Sequence, residues 1–290
     1  MNTLRKFCLG LAVTLLACTP ALADPALWVV KSSTATVYLF GTVHVLPRDA
    51  PWHYPALDRA LAASGTLYVE EDDDSPATMQ PLILEYGVDP SHRLSSELDG
   101  ADRARLESAA ESAGLPGGEA GLESLKPWLA ALTLAVAPIV KAGYDPHSGA
   151  DKVLQREFKA EGKPIDAFET AEEQIRFFAG LPQPQQIDLL RSTLDDFDKG
   201  PALIAALVKN WQAGDVDAIA QVVNADMHDK YPELYEILLV NRNRDWAKRI
   251  QELLQQHGTI FVAVGAGHLA GPDSVQVQLA KLGIATERVH

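Results

Sequence analysis

GTVHVLP, residues 41–47, ends the apolar run TVYLF (36–40) on a glycine and sets a histidine three positions later. FVAVGAGHLAGP, residues 261–272, repeats that layout: a hydrophobic run, then Gly265-x-x-His268. Short runs rich in β-branched and aromatic residues and bounded by turn residues predict strands. TIFVAVGAGHL (259–269) is almost free of polar side chains, as expected of a central strand covered on both faces. The paired motifs therefore predict two buried strands, from opposite ends of the chain, lying near each other in one sheet. His44 and His268 then face across one crevice.

The intervening chain fits an α/β layered domain. ALWVV and TVYLFGTVHVL read as a two-stranded start around the turn-prone KSSTA (31–35). TLYVEE (66–71), KPIDAFE (163–169) and ATERV (285–289) read as further strands. Residues from about 76 to 160 read mostly helical, with apolar positions spaced by three and four. The helical pattern resumes from TAEEQIRFFAGLP (170–182) to ELLQQHG (252–258), and PDSVQVQLAKLG (272–283) is amphipathic. The expected fold is one α/β domain over 24–290: a central mixed sheet built from both ends of the chain, with a helical insertion at about 76–160.

The chain has 290 residues, enough for a sizeable core. Its formal net charge of -14, with no evident basic stripe, argues against nucleic acid as a partner. Arg5 and Lys6, the apolar FCLGLAVTLLAC (7–18) and the small-x-small ALA (21–23) have the order of a signal peptide cleaved after residue 23. This predicts a periplasmic or secreted protein; LLAC (15–18) offers the alternative of a lipoprotein anchored at Cys18. Both cysteines, Cys8 and Cys18, fall inside that segment. The mature chain then has no thiol for a nucleophile, a disulfide or a zinc site. The apolar stretch SLKPWLAALTLAVAPIVKAG (124–143) is broken by prolines and carries Lys at both ends, so it reads as a buried helix and not a membrane span. No sequence signal bears on the oligomeric state.

In open α/β sheets ligands bind at the carboxyl ends of the strands. His44, Glu70 and Glu71, Glu169 and His268 all fall at such ends. Two neutral imidazoles with one or two carboxylates suit a divalent metal, and a spare carboxylate can serve as general base. Each residue also has an ordinary role: histidines at strand ends act in turns, and Glu169 could favour a helix N-terminus. Strand alternation sends Glu70 and Glu71 to opposite faces, so one of the two points inward. In NRNRDWAKRI (241–250), Arg242 could stabilise an oxyanion or a carboxylate, or belong to a solvated helix face. The remaining histidines read as surface residues.

The segments LWVV…TVYLFGTVHVLP, LYVEED, LKPWLAAL, GYDPH, GKPIDAFETAEEQ, RNRDWA and FVAVGAGHLAGPDSV together resemble, in order and over about 26–289, the TraB/GumN family that includes the Tiki proteins. The resemblance implies an α/β domain with a helical insertion, distantly like the erythromycin-esterase and haem-binding ChaN folds. Tiki members are described as divalent-cation-dependent metalloproteases favouring manganese or cobalt. Carried over by position, His44, Glu70 and His268 hold the metal. Arg242 with Asn243 matches a recurrent Arg-Asn, and Glu169 matches the glutamate of a recurrent LET, with Phe168 in place of Leu. Asn241 stands where relatives usually carry an acid. The expected activity is an exported metal-dependent hydrolase, a peptidase of the Tiki type. It would use manganese, cobalt or zinc on a peptide or protein, with Glu71 or Glu169 as base or as partner of an imidazole. Alternatives are a non-catalytic metal-, haem- or peptide-binding protein, and a metal-free esterase with His44 as the base for water.

Overall fold

The structure is a computed structural model and describes residues 24–290. The signal-peptide reading of 1–23 and the alternative anchor at Cys18 lie outside the described residues. Among the described residues no helix is long and apolar enough to cross a membrane.

Among the described residues six strands form one mixed sheet: β1 (Leu27–Lys31), β2 (Ala35–Thr42), β3 (Thr66–Val69), β4 (Ile165–Ala167), β5 (Gly258–Gly265) and β6 (Glu287–Arg288), in the order β4-β3-β5-β2-β1-β6. The two strands carrying the Gly-x-x-His motifs are neighbours. β2 and β5 run parallel from Ala35↔Gly258 to Thr42↔Gly265. Both therefore end at one level, and the central sheet draws on both ends of the chain as the sequence predicts. β3 pairs parallel with β5 and with β4, while β1 and β6 add antiparallel ladders at the other edge. The β1–β2 hairpin turns where Ser32 Oγ accepts the Ala35 N–H at 2.9 Å.

Period-2 alternation splits the strands between two cores. Phe40 and Phe261 face one side, among Trp52, Leu57, Leu154 and Trp211. Leu39 and Val262 face the other, among Trp246, Ile250 and Leu279. Full burial of one such aromatic or leucine contributes roughly 1.5–3 kcal/mol. Helices Pro55–Ala63, Ala150–Ala160 and Gly200–Gln212 supply the first cover, and Asn241–Leu253 with Val275–Lys281 the second. A third core joins Leu106, Leu134 and Leu190 from helices Gly100–Ala113, Pro127–Lys141 and Gln183–Asp196. This helical lobe thus draws on chain both before and after β4. Pro138 falls in the last turn of its helix, which ends three residues later at Lys141.

Candidate functional site

The site sits where β2, β3, β4 and β5 end. Glycine lets the two motif loops meet: a Cβ on Gly41 would come within 3.0 Å of Ala266 Cα. A Cβ on Gly265 would stand 3.1 Å from Glu70 Oε1, 3.4 Å from His44 Nε2 and 3.6 Å from His268 Cδ2. Three residues from three strand ends therefore gather over one glycine.

Each is held from behind. The loop after β2 is stitched to the segment before helix Ala150–Ala160: Ala150 N donates to Val43 O at 3.0 Å, and Asp145 N to Leu46 O at 3.0 Å. That docking brings Asp151 Oδ2 to 3.3 Å from His44 Nδ1. His268 lies in the short turn Ala266–Leu269 with its Nδ1 2.6 Å from Asn243 Oδ1, and Asn243 Nδ2 donates to Asp273 O at 2.8 Å. The second bond fixes the amide orientation, so Nδ1 of His268 carries the proton and Nε2 the lone pair. Glu70 accepts the Gly265 N–H at 2.6 Å.

Arg242 ties the floor together. Its Nη2 reaches Glu70 Oε2 at 2.6 Å and Glu169 Oε2 at 2.8 Å, its Nε reaches Glu169 Oε1 at 2.8 Å, and its Nη1 lies 3.2 Å from His268 Nε2. The guanidinium also stacks on Trp246, whose indole N–H donates to Glu169. A π-helical turn, Glu236–Val240, precedes the Arg-Asn pair. Leu238 O, within that turn, accepts Arg242 Nη1 at 3.2 Å. Arg242 and Asn243, consecutive in the chain, both contact His268.

Burial disfavours charge on Glu70, but the charges around it and the Gly265 N–H outweigh that and hold its pKa down to about 2. Burial lowers His268 to about 3, helped by the Arg242 and His44 charges. His268 is therefore neutral at neutral pH, and Arg242 is the main cation acting on Glu70 there. Burial pushes Glu169 above the usual carboxylate range against the pull of Arg242. For His44, desolvation opposes protonation, but the bond to Asp151 and the charges of Asp151 and Glu70 carry it up to about 9. The side chain is 61% exposed, so solvent screens part of that field. The direction stands: His44 is the histidine that favours a proton.

The structure brings together six of the seven residues read from sequence. His44 and Glu70 face an open cleft of about 1140 Å³, with His268, Asn243, Arg242 and Glu169 beneath. Glu71 is the seventh. It lines the same cleft, but its carboxylate accepts the Asp73 N–H and stands apart from the Arg242 network. Arg244, next to Arg242 and Asn243, points away to Glu236 and Asn241. Asp151 and Trp246 were not singled out: one reads as an ordinary acid at a helix start, the other as core.

A divalent ion suits the chemistry of this donor set, two imidazoles with Nδ1 anchored and one carboxylate. The donors are gathered but not closed. Among the described residues no three His, Asp or Glu side chains form a ready metal cage. Arg242 contacts two of the donors, Glu70 Oε2 at 2.6 Å and His268 Nε2 at 3.2 Å. Beside His44, Asp151 Oδ1 and Thr42 Oγ1 are buried without a protein hydrogen-bond partner.

The family model for the TraB/PrgY/gumN family matches residues 26–288. The chain belongs to this family. Among similar members, an uncharacterized protein of Treponema pallidum (strain Nichols) is 24% identical over 297 residues, covering 92% of this chain and 87% of its own. The uncharacterized protein YbaP of Escherichia coli (strain K12) is 24% identical over 260 residues, covering 88% and 92%. No solved structure matches this TraB/PrgY/gumN member. Its α/β class rests on the sheet described above, and the distant likeness to the erythromycin-esterase and ChaN folds on sequence resemblance alone.

Proposed function

We propose that the chain is an exported, metal-dependent hydrolase of peptides, of the type described for the Tiki proteins. The observation that carries this reading is the convergence of His44 Nε2, Glu70 Oε1 and the His268 ring over Gly265. His44, Glu70 and His268 would hold manganese, cobalt or zinc. When bound, such an ion supplies Lewis acidity and lowers the pKa of water. The chain's own residues do the rest. Asn243 and Asp151 fix the two rings. Arg242, kept on Glu169 and Trp246, gives up His268 Nε2 and offers its guanidinium to charge developing on a scissile carbonyl. Glu169, held toward the neutral form by burial, can take or return a proton next to it; Glu71, at the cleft wall, is the alternative acceptor. The basic, apolar and small-residue order of residues 1–23 supports export to the periplasm or beyond.

One observation favours a second reading. Arg242 already supplies a cation to Glu70 and His268, and His44 has a carboxylate behind it. That arrangement suits a metal-free hydrolase with His44 as base once it has lost its proton, so its rate would climb as pH rises toward 9. Metal analysis of wild type, His44→Ala and His268→Ala after loading with manganese, cobalt or zinc separates the two. Loss of one equivalent in both variants supports the metal site. Hydrolysis that resists a strong chelator yet disappears in His44→Ala supports the second reading. Wild type that binds none of the ions and cleaves no peptide library excludes the first.

A further inference from the structure

A linear scan shows no run of basic residues, because the relevant ones are spaced at helical intervals. Helix Ala150–Ala160 buries Ala150, Leu154 and Phe158 and turns another stripe to the cleft: Asp151, Lys152, Gln155, Arg156 and Lys159. Asp151 starts the stripe at His44, and cations follow it.

The charges along this wall are not equally spent. Lys152 pairs with Asp74 at 2.8 Å, and Lys163, just past the helix, with Glu161 at 2.7 Å. Arg156 donates to a neutral acceptor, His147 O, at 2.9 Å, which holds its guanidinium in place and leaves its charge uncompensated. Lys159 is exposed and takes no ion pair among the described residues. On the opposite wall Glu70 is ion-paired with Arg242 and Asp74 with Lys152. Asp73 accepts from Thr78 and Ser75, and Glu71 from the Asp73 N–H; these neutral donors hold both carboxylates in place and leave their charge, as does Asp72 near the mouth. Arg156 and Lys159 are thus an adjacent pair of unpaired cations on the helix wall, facing a wall that keeps negative charge, so an incoming carboxylate is attracted at the helix and repelled opposite it.

We infer that the ligand of this cleft is a peptide carrying a carboxylate that Arg156 and Lys159 receive. The inference rests on the peptide-hydrolase reading for the reacting end at His44. At about 1.5 Å per residue, Arg156 and Lys159 lie about 7.5 and about 12 Å along the helix from Asp151. An extended peptide rises about 3.3 Å per residue, which sets the carboxylate about two to four residues from the bond over His44. The carboxylate can belong to an acidic side chain or to the peptide's own C-terminus.

Binding tests this without turnover. Fluorescein-labelled Gly-Ser-Ala-Glu-Glu-Ala-Ser-Gly amide, its Gln-Gln counterpart as amide, and the Gln-Gln peptide as free acid are titrated by anisotropy with the purified chain under chelator. The Glu-Glu amide or the free acid, according to the source of the carboxylate, should bind about three- to tenfold more tightly than the Gln-Gln amide, with the preference fading as salt rises. The double variant Arg156→Glu/Lys159→Glu, both positions exposed, should keep the wild-type melting curve and lose the preference. Equal affinity for all three peptides overturns the proposal, as does a preference that survives the double reversal. A chain that binds no metal can still pass this test, and one that fails it can still be a metal-dependent hydrolase.

Discussion

His44 Nδ1 lies 3.3 Å from Asp151 Oδ2, a carboxylate delivered by a different element more than 100 residues away. An imidazole whose Nδ1–H is taken presents Nε2 to its other side, here toward Glu70 and His268. Asp151→Ala should leave the fold near wild-type stability, yet lower metal affinity or hydrolysis about 10- to 100-fold. It should also lower the pH at which His44 loses its proton, read from imidazole nitrogen shifts through a titration. Asp151→Asn, which keeps an acceptor without the charge, should restore part of the affinity and little of the raised titration. An unchanged His44 titration in Asp151→Ala would mean the pair does not act on the ring.

Gly265→Ala separates site from scaffold. Gly265 has φ -50 and ψ 136, which alanine adopts freely, so the backbone is unstrained by the change and stability should move by less than about 1 kcal/mol. The new methyl would sit 3.1 Å from Glu70 Oε1, a tight contact that requires the carboxylate to shift by a few tenths of an ångström, and 3.4 Å from His44 Nε2, so it should spread the gathered groups. Metal binding by calorimetry should weaken at least about tenfold. A variant that melts normally and binds manganese as well as wild type would show that the groups over Gly265 do not act together.

The strands and their ends were readable because burial on both faces of a sheet demands continuous apolar runs, and glycine marked the close approach of Gly41 to Ala266. Alternation did not separate Glu70 from Glu71 as expected: β3 ends at Val69, and both glutamates, past its end, line the same cleft. Partnerships made across long separations were not readable. Asp151 opens a helix as many acids do, and nothing local ties it to His44. Arg242 could be suspected as a cation, but its hold on two carboxylates and an imidazole depends on β3 and β4 ending side by side. Glu71 shares the residue type and the cleft, but the backbone of its own loop takes its carboxylate.

Arg242 sits between two buried carboxylates, so truncating it should cost more than an exposed ion pair would. Arg242→Gln leaves Glu70 and Glu169 facing each other and should destabilise the chain by about 3–5 kcal/mol. Arg242→Lys keeps the charge but not the two-pronged fork to Glu169, and should recover only part of that. A dication can neutralise the unpaired acids in place of the guanidinium. Manganese should therefore raise the melting temperature of Arg242→Gln by more than it raises that of wild type. Equal shifts would place the ion away from Glu70.

The two histidines should give the stability profile opposite slopes on either side of pH 6.5. His268 is lowered to about 3, so the folded chain binds fewer protons than the unfolded one between about 3 and 6.5. Its contribution is present above 6.5 and is lost as pH falls toward 3. Glu70, lowered to about 2, adds a loss below its ordinary value of 4.5. His44 is raised to about 9, so the support from its pair with Asp151 is present below 6.5 and fades as pH rises toward 9, the smaller effect because solvent screens it. Melting temperature in the metal-free chain should therefore peak near pH 6.5 and begin falling on the acid side well before carboxylates titrate. Asn243→Asp sharpens the test. It puts a carboxylate on His268 Nδ1, where the amide now sits at 2.6 Å. The ring's pKa should rise, and the decline between pH 6.5 and 4.5 should flatten. An unaltered acid limb in Asn243→Asp would mean that His268 is not the group responsible for it.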